Sequence, residues 1–279
     1  MYKAFSSGLL GFPGRSLEDD IPLAVKYGYE GIAFDVKKES ASLSPEELSA
    51  LLSKNGLKSG GFSLPLEFRK DEDTYNTDLK ALRGFCEFAE KTGTTRCTTW
   101  LMPCSDTLNY DANFLLHRDR LGRAAKILED HGIFLGLEFV GPPSIRKGKA
   151  HEFIHDLDGL NELLDSMGAS NVGYLLDVFH WDLAGQAFED FKKIPSAELV
   201  VVAHINDAPR GRSREEQIDQ ERELPGATGV LRLSEFFQGL RDLKYQGPVF
   251  VEPFNKALMA MDFEEAVKTA KAAMDKAWP

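Results

Sequence analysis

The sequence predicts an α/β fold: a closed (β/α)8 barrel of parallel strands with outer helices, formed as a single domain over residues 1–279. Short apolar runs alternate about eight times with longer amphipathic segments, a pattern typical of parallel strands joined by helices. The runs are continuously apolar, as in Leu199–Val202, which indicates strands buried on both faces. No G-x-G-x-x-G follows the first predicted strand, so an open dinucleotide-binding sheet is less favoured.

The first half of the chain predicts four strands separated by helices. The strands are expected at Lys3–Leu10, Glu30–Val36, Leu57–Leu64 and Thr95–Leu101. A helix is predicted over Leu17–Tyr27, because Ser16 can cap its first turn and acidic residues follow. A second helix begins at Pro45, since Ser44 supplies the cap and proline suits the first helical position. A third is predicted over Asp73–Thr92.

The second half of the chain repeats the same unit. Its strands are expected at Ile133–Val140, Val172–Val178, Glu198–Ile205 and Pro248–Pro253. Its helices are expected at Asn113–His131, Glu152–Met167, Ala187–Lys193, Ser234–Leu243 and Phe263–Ala277. Two long connections, Gly141–His151 and Ala208–Thr228, follow the fifth and seventh strands. Loops of this length in a compact domain are usually functional or disordered, and both leave the barrel face where catalytic residues collect.

The composition argues against several classes of protein. A net charge of −11 disfavours a nucleic-acid partner, because phosphate backbones repel an acidic chain. Three cysteines with no C-x-x-C pair indicate reduced thiols in a cytoplasmic protein rather than a disulfide framework. The sequence has neither a signal-peptide pattern nor an apolar run of roughly 20 residues, so no membrane association is predicted.

Four predicted strands in the second half end in side chains that can bind a metal ion. They are Glu138, Asp177, His204 and Glu252. Because parallel strands of a barrel open onto one face, these side chains are expected to converge. Buried carboxylates without a partner are costly, so three of them together call for a shared cation. Taken singly, each carboxylate is also compatible with a helix cap, and His204 with a core histidine.

Five short motifs carry a resemblance to a known family. They are Leu137-Glu138, Leu176-Asp177-Val178-Phe179-His180, His204-Ile205-Asn206-Asp207, Leu224-Pro225-Gly226 and Gly247-Pro248-Val249-Phe250-Val251-Glu252. With them the whole chain resembles the xylose-isomerase-like TIM barrels of the sugar isomerase/epimerase group, which includes ketose 3-epimerases, inosose isomerases and hydroxypyruvate isomerases. The resemblance implies one divalent metal ion, Mn²⁺ first and otherwise Mg²⁺, Co²⁺ or Zn²⁺, held by the four strand-end residues. It also implies a small carbohydrate substrate and allows a homo-oligomer.

The resemblance further implies substrate-binding residues. His180 and Arg210 match a substrate-binding His and Arg of the epimerases, although His180 is also placed to hold Asp177. Trp100 stands where an indole can stack on a sugar ring, and Asp207 either binds substrate hydroxyls or caps its turn. A second Glu usual in the ketose epimerases is replaced here by Ser144, which argues for a different substrate.

The predicted reaction is proton transfer next to a carbonyl group. The metal would stabilise the enediolate, with Glu138 and Glu252 as the acid–base pair, giving epimerisation or aldose–ketose isomerisation. A dehydratase of the inosose or dehydroshikimate type would use the same ligands. An endonuclease IV-like enzyme would need three zinc ions and further histidines, and a binding protein on a degenerate barrel would not need the complete ligand set.

Four arginines of the second long loop are candidates for an anionic substrate group or for a salt-bridged lid: Arg210, Arg212, Arg214 and Arg222.

Overall fold

Eight parallel strands close into a barrel in the computed structural model, which describes residues 1–279. The strands, in chain order, are β1 Tyr2–Phe5, β2 Gly31–Ala33, β3 Lys58–Ser63, β4 Arg96–Trp100, β5 Phe134–Glu138, β6 Val172–Asp177, β7 Val200–Ile205 and β8 Pro248–Val251. Each strand pairs with its neighbours in sequence, and β8 closes the sheet on β1 through the pairing of Tyr2 with Pro248. The predicted (β/α)8 barrel is therefore confirmed.

Helices surround the barrel and fill its loops. They are α1 Leu17–Lys26, α2 Val36–Ser42, α3 Pro45–Lys54, α4 Glu72–Lys91, α5 Tyr110–Glu129, α6 Pro143–Arg146, α7 Leu157–Met167, α8 Val178–Leu183, α9 Leu233–Asp242, α10 Lys256–Met259 and α11 Phe263–Ala277. The predicted caps form: the Ser16 side chain accepts from the Asp19 amide, and Ser44 forms a reciprocal capping box with Glu47. None of these helices has the length and apolar character needed to cross a bilayer.

Several predicted boundaries were wrong. Strand β1 ends at Phe5 rather than Leu10, because Ser6 to Gly11 fold into turns at the barrel mouth. Val36 begins a helix instead of ending a strand, since the Asp35 side chain accepts from the amides of Lys37 and Lys38. Glu152 lies in a short antiparallel pair with Cys104, so the helix predicted from that residue begins only at Leu157. The helix predicted over Ala187–Lys193 is a 3-10 helix.

The apolar core has two parts. A large cluster lies between the strands and the surrounding helices, and a small one fills the barrel interior with Tyr2, Ala4, Leu175, Val201, Val202 and Phe250. Glycines make room inside: a Cβ on Gly136 would lie 2.8 Å from the Cβ of Val201, and one on Gly60 would lie 2.7 Å from the Phe250 ring. The interior is therefore packed, and any cavity must lie above it at the barrel mouth.

One buried histidine lies away from the barrel mouth. His117 of α5 is packed between the rings of Phe68 and Phe153, and its Nδ1 lies 2.8 Å from the Asn113 carbonyl oxygen. Its Nε2 is buried without a hydrogen-bond partner. Burial lowers the pKa of His117 to about 4, so the folded protein keeps this imidazole neutral.

This histidine predicts a loss of stability in mild acid. The unfolded chain takes up a proton near the ordinary histidine pKa, whereas the folded chain resists protonation down to about pH 4, so stability falls as the pH drops through this window. Between about pH 7.5 and pH 5 the contribution is about 2 kcal/mol. Denaturant unfolding of the wild type and His117→Gln should show this pH-dependent difference. His151→Gln, at an exposed position, should keep the wild-type pH dependence; an identical dependence in His117→Gln would contradict the assignment.

Candidate metal centre

The four strand-end side chains meet at the barrel mouth. Glu138 ends β5, Asp177 ends β6, His204 lies near the end of β7 and Glu252 directly follows β8. One ligand atom from each lies within 4.8 Å of the others. From Nδ1 of His204, a carboxylate oxygen of Glu252 is 3.3 Å away, one of Asp177 3.8 Å and one of Glu138 3.9 Å. The expected convergence is thus present in the structure.

Strand register accounts for this convergence. Asp177 is paired with His204 across β6 and β7, and His204 with Phe250 across β7 and β8. The side chains are therefore at one level of the barrel, and all four residues are buried. Asp177 also fills the role of a helix cap, because its Oδ1 accepts from the Phe179 amide at 2.6 Å, while its Oδ2 faces the cluster.

The donor set fits a divalent cation. Three carboxylates and one imidazole are the ligands that Mn²⁺, Mg²⁺, Co²⁺ and Zn²⁺ accept. Oε1 of Glu138 is buried without a hydrogen-bond partner. Burial, with the charges of Glu252 and Asp177, raises the pKa of Glu138 well above its usual value. Burial alone would also raise the pKa of Glu252, but His204 and Arg222 outweigh it and lower that pKa. The cluster therefore has less positive charge than its three carboxylates would need when ionised.

Arg222, which the sequence suggested only as one of four loop arginines for an anionic substrate group or a salt-bridged lid, belongs to this site. It comes from the long loop after β7, and its side chain is 1% exposed. Its Nη1 donates to Oδ2 of Asp177 at 2.8 Å and to Oε2 of Glu252 at 3.1 Å. Its Nη2 donates to Asp219 at 2.7 Å. A single guanidinium thus neutralises part of the carboxylate charge, and the remaining negative charge favours a bound cation.

The surroundings of Arg222 hold it in one orientation. Its guanidinium carbon lies 4.6 Å from the ring centroids of both Phe179 and Phe254, close enough for cation–π attraction. The backbone beside Arg222 is also held in place, because its neighbour Glu223 forms two backbone hydrogen bonds of 2.8 Å with Asp207. The planar cation is therefore preorganised against the two carboxylates.

Asn206 also supports the cluster from below. Its Nδ2 donates to both oxygens of Asp177, at 3.1 and 3.2 Å, and to the Glu252 carbonyl oxygen at 3.2 Å. The residue is fully buried. It therefore ties the end of β6 to the end of β8 and limits the rotation of the Asp177 carboxylate.

His180 lies behind the cluster, beside Arg222. Its Nε2 is 3.2 Å from Nη2 of Arg222 and 3.9 Å from Oε1 of Glu138. Burial and then the charge of Arg222 lower the pKa of His180 to about 4, so the imidazole is neutral and its Nε2 accepts from the arginine. Its Nδ1 is buried without a partner. This placement favours a supporting role, and substrate contact by His180 stays a prediction.

Asp207 and Arg210 are directed away from the cavity. The Asp207 carboxylate accepts five backbone N–H groups, those of Ala208, Thr228, Gly229, Val230 and Leu231. This is the turn-capping alternative, and it occupies both oxygens. The guanidinium of Arg210 donates to the Thr228 carbonyl oxygen at 2.6 and 2.9 Å. Neither residue lines the cavity.

A cavity of about 580 Å³ opens above the cluster. Glu138, His204 and Glu252 form part of its floor, and most of its walls come from the loops after β1, β2 and β3 and from the end of β4. Trp100 lines it and is 41% exposed, in agreement with a place at the substrate. The residues of the two long loops, which the sequence suggested as a lid, are not among its walls. Ser144 instead joins those loops by donating to the Gln217 carbonyl oxygen at 2.6 Å.

The other histidines lie outside this centre. His117 is enclosed by aromatic rings, and Nδ1 of His131 contacts Glu90. His155 contacts the Phe153 carbonyl oxygen, and His151 is exposed on the short antiparallel strand. The group of Glu138, Asp177, His204 and Glu252 is the only one of its kind in the structure. This arrangement gives no support to a three-zinc nuclease.

The comparisons with known proteins agree with this geometry. Residues 21–277 match the family described as xylose isomerase-like TIM barrel. The chain belongs to this family. A xylose isomerase domain protein from Alicyclobacillus acidocaldarius superposes with a TM-score of 0.87 at 26% identity, with 99% of this chain and 98% of that chain covered. A zinc-bound IOLI protein superposes with a TM-score of 0.82 at 22% identity over 99% and 98% of the two chains, which shows the shared fold.

Curated relatives of known activity match a part of the chain. Inosose isomerases from Halalkalibacterium halodurans and Bacillus subtilis are each 28% identical, over 154 and 156 residues respectively. The matched segments cover 54% and 55% of this chain. They cover 50% and 51% of the relatives, so the chain spans about half the length of the curated relatives it matches.

The central role of Arg222 can be tested by its removal. In metal-free protein, Arg222→Gln should lower the free energy of unfolding by about 3 kcal/mol, because it leaves buried carboxylates without their cation. Added Mn²⁺ should recover part of this loss by binding the folded state. Unfolding curves with a chelator and with Mn²⁺ measure both effects. Arg212→Gln is the matched control, since its ion pair with Glu221 is on the outside of the same loop; equal curves for the two variants would contradict the interpretation.

Proposed function

We propose that this protein is a divalent-metal-dependent isomerase or epimerase of a sugar, keto-sugar or keto-polyol. The observation that carries the proposal is the group of four ligand atoms within 4.8 Å of one another on the floor of a cavity of about 580 Å³. A cavity of this size suits a small molecule. An open site of this composition is characteristic of catalysis rather than of a structural metal.

Glu138, Asp177, His204 and Glu252 would hold one metal ion, with Mn²⁺ favoured by the oxygen-rich donor set. When bound, such an ion supplies Lewis-acid charge that makes a C–H beside a carbonyl more acidic. Asn206 and Arg222 then keep Asp177 and Glu252 in place through the hydrogen bonds described above. The donor set, and not any bound ion, supports this assignment.

Two of the carboxylates are placed to move the proton. Glu138 and Glu252 stand on β5 and β8, which are not neighbours in the sheet, and both line the cavity. A substrate between them therefore meets a carboxylate on either side, one to remove a proton and one to return it. Return to the opposite face of the same carbon gives epimerisation, and return to the adjacent carbon gives isomerisation.

The comparisons support a carbohydrate substrate. The partial curated matches are inosose isomerases, and D-psicose 3-epimerase from Clostridium cellulolyticum superposes with a TM-score of 0.75 at 15% identity over 99% of this chain, which supports the fold alone. The second Glu that the epimerases usually carry is Ser144 here, and it is bonded to the second long loop. We therefore favour a keto-polyol or a modified sugar over a free ketose.

Metal content tests the ligand set directly. Wild-type protein dialysed with Mn²⁺ should retain about one ion per chain, and His204→Ala should lose most of it, because a four-ligand site is left with three ligands. Elemental mass spectrometry measures the ratio. His151→Ala, on the exposed short strand, should retain the wild-type content. Retention of a full equivalent of metal by His204→Ala would refute the centre.

Solvent-deuterium exchange tests the acid–base pair. A panel of ketoses and keto-inositols incubated with the Mn²⁺-loaded protein in D2O should reveal a substrate that gains deuterium next to its carbonyl. Glu252→Gln and Glu138→Gln should each slow this exchange by about 10²- to 10⁴-fold. Glu221→Gln, from the half-buried loop pair with Arg212, should leave it unchanged. Loss of water from the substrate would instead identify a dehydratase on the same ligands.

A further inference from the structure

Arg69 brings a positive group into the cavity at a place separate from the metal centre. It follows β3 in the chain and lines the cavity together with Trp100. Its guanidinium carbon lies 4.1 Å from the ring centroids of both Phe68 and Trp100. Phe68 is fully buried and Trp100 is partly exposed. The two rings therefore hold the plane of the cation without using its hydrogen-bond donors.

Most of these donors have no partner in the protein. Nη2 donates to the Trp100 carbonyl oxygen, and Nε is buried without a partner. The carboxylate whose charge raises the pKa of Arg69 is that of Glu67, which is exposed and forms no ion pair with Arg69. Partial burial lowers the pKa of Arg69 to about 10, so the side chain remains a cation at neutral pH. A half-buried guanidinium without a counter-ion costs folding free energy, and a bound anion would offset this cost.

The contact of Arg69 with Trp100 fixes its position relative to the metal centre. The Trp100 carbonyl that accepts from Arg69 is at the end of β4, where Trp100 is paired with Glu138 across the sheet. The backbone of the next residue continues this contact, since the Leu101 amide donates to the Glu138 carbonyl oxygen at 2.8 Å. The guanidinium thus stands one strand away from the metal centre, on the wall of the same cavity.

The other cations of the cavity differ from Arg69. Arg15 is paired with Asp20 at 2.8 Å, and Lys38 donates to the carbonyl oxygens of Gly14 and Arg15 at 2.8 and 2.9 Å. Lys37 is exposed at the rim and has no charged partner. Arg69 therefore combines three properties within the cavity: it is oriented by aromatic rings, partly buried and free of a carboxylate.

We propose that Arg69 binds an anionic substituent, a carboxylate or a phosphate, on the carbohydrate substrate. This inference rests on the proposed function and narrows its substrate class to acidic sugars or keto-polyols. A guanidinium presents parallel N–H donors that match two oxygens of such a group. An anion bound there would lie beside Trp100, so that the rest of the molecule extends over the floor toward Glu138.

Three probes that differ at one carbon test the proposal. D-glucose, D-glucuronate and D-glucose 6-phosphate present a hydroxymethyl, a carboxylate and a phosphate group, and calorimetry with the Mn²⁺-loaded protein measures their dissociation constants. At least one anionic probe should bind about tenfold more tightly than glucose. Comparison of glucuronate with glucose 6-phosphate then decides between carboxylate and phosphate. Equal binding of all three probes would overturn the proposal.

Variants separate Arg69 from the general charge of the cavity and from the metal. Arg69→Gln should abolish the preference for the anionic probe, and Arg69→Lys should keep a part of it. Lys37→Gln removes the same charge from the rim and should keep the preference. A preference that survives in Arg69→Gln, as direct binding of the anion to Mn²⁺ would produce, contradicts the proposal. An equal loss in Lys37→Gln contradicts it too.

This experiment can fail independently of the proposed function. Thermal unfolding and metal content of Arg69→Gln show whether the variant is folded and loaded, and a wild-type result for both validates the binding data. If the anion preference is absent while deuterium exchange into a neutral ketose occurs, only the substrate class is wrong. If the preference is present but no ketose or keto-polyol exchanges, the proposed reaction is wrong and Arg69 remains an anion-binding residue.

Discussion

The site depends on one constraint: three carboxylates are buried together and need positive charge. The strand ends bring Glu138, Asp177 and Glu252 within 4.8 Å of one another and of His204. Arg222 supplies one charge from the side, with Nη1 bridging two of the carboxylates. Its loop, its aromatic neighbours and the Asn206 amide all serve to keep this charge arrangement fixed. A divalent cation is the simplest addition that completes the balance.

In the proposed site, the residues that would bind the ion and those that would bind the substrate come from different halves of the barrel. Strands β5 to β7 and the residue after β8 supply the candidate ligands, whereas the loops after β1 to β3 and the end of β4 supply most of the cavity walls, with Arg69 and Trp100. Because most of the walls are loops and the candidate ligands are at strand ends, the walls can vary without altering the ligand geometry. This division would allow substrate specificity to change through the wall residues while the four strand-end residues stay in place.

The fold and the convergence of the four candidate ligands were predictable because both follow from short-range pattern. Continuous apolar runs marked the strands, and a Glu, Asp or His at the end of consecutive strands marked the centre. Arg222 was not predictable, since it stands 45 residues from Asp177 in the chain and among other arginines of one loop. Arg210 was assigned to the substrate by resemblance, and Asp207 was given either a substrate contact or a turn cap, but loop hydrogen bonds occupy both side chains. Arg69 carries no sequence signal, because the two rings that orient it meet only in the folded barrel.

Asp207 gives the second long loop a property of its own. Five amides from both ends of the loop converge on this one carboxylate, so the loop is closed at its base like a ring. Arg222 and its neighbour Glu221 lie close to this base, beside the backbone pair of Asp207 and Glu223. Residues at the tip of the loop, such as Ser213 and Glu215, are exposed. Insertions or exchanges at the tip should therefore leave the metal centre intact, and this loop offers a place where the protein can acquire new surface contacts without a change in chemistry.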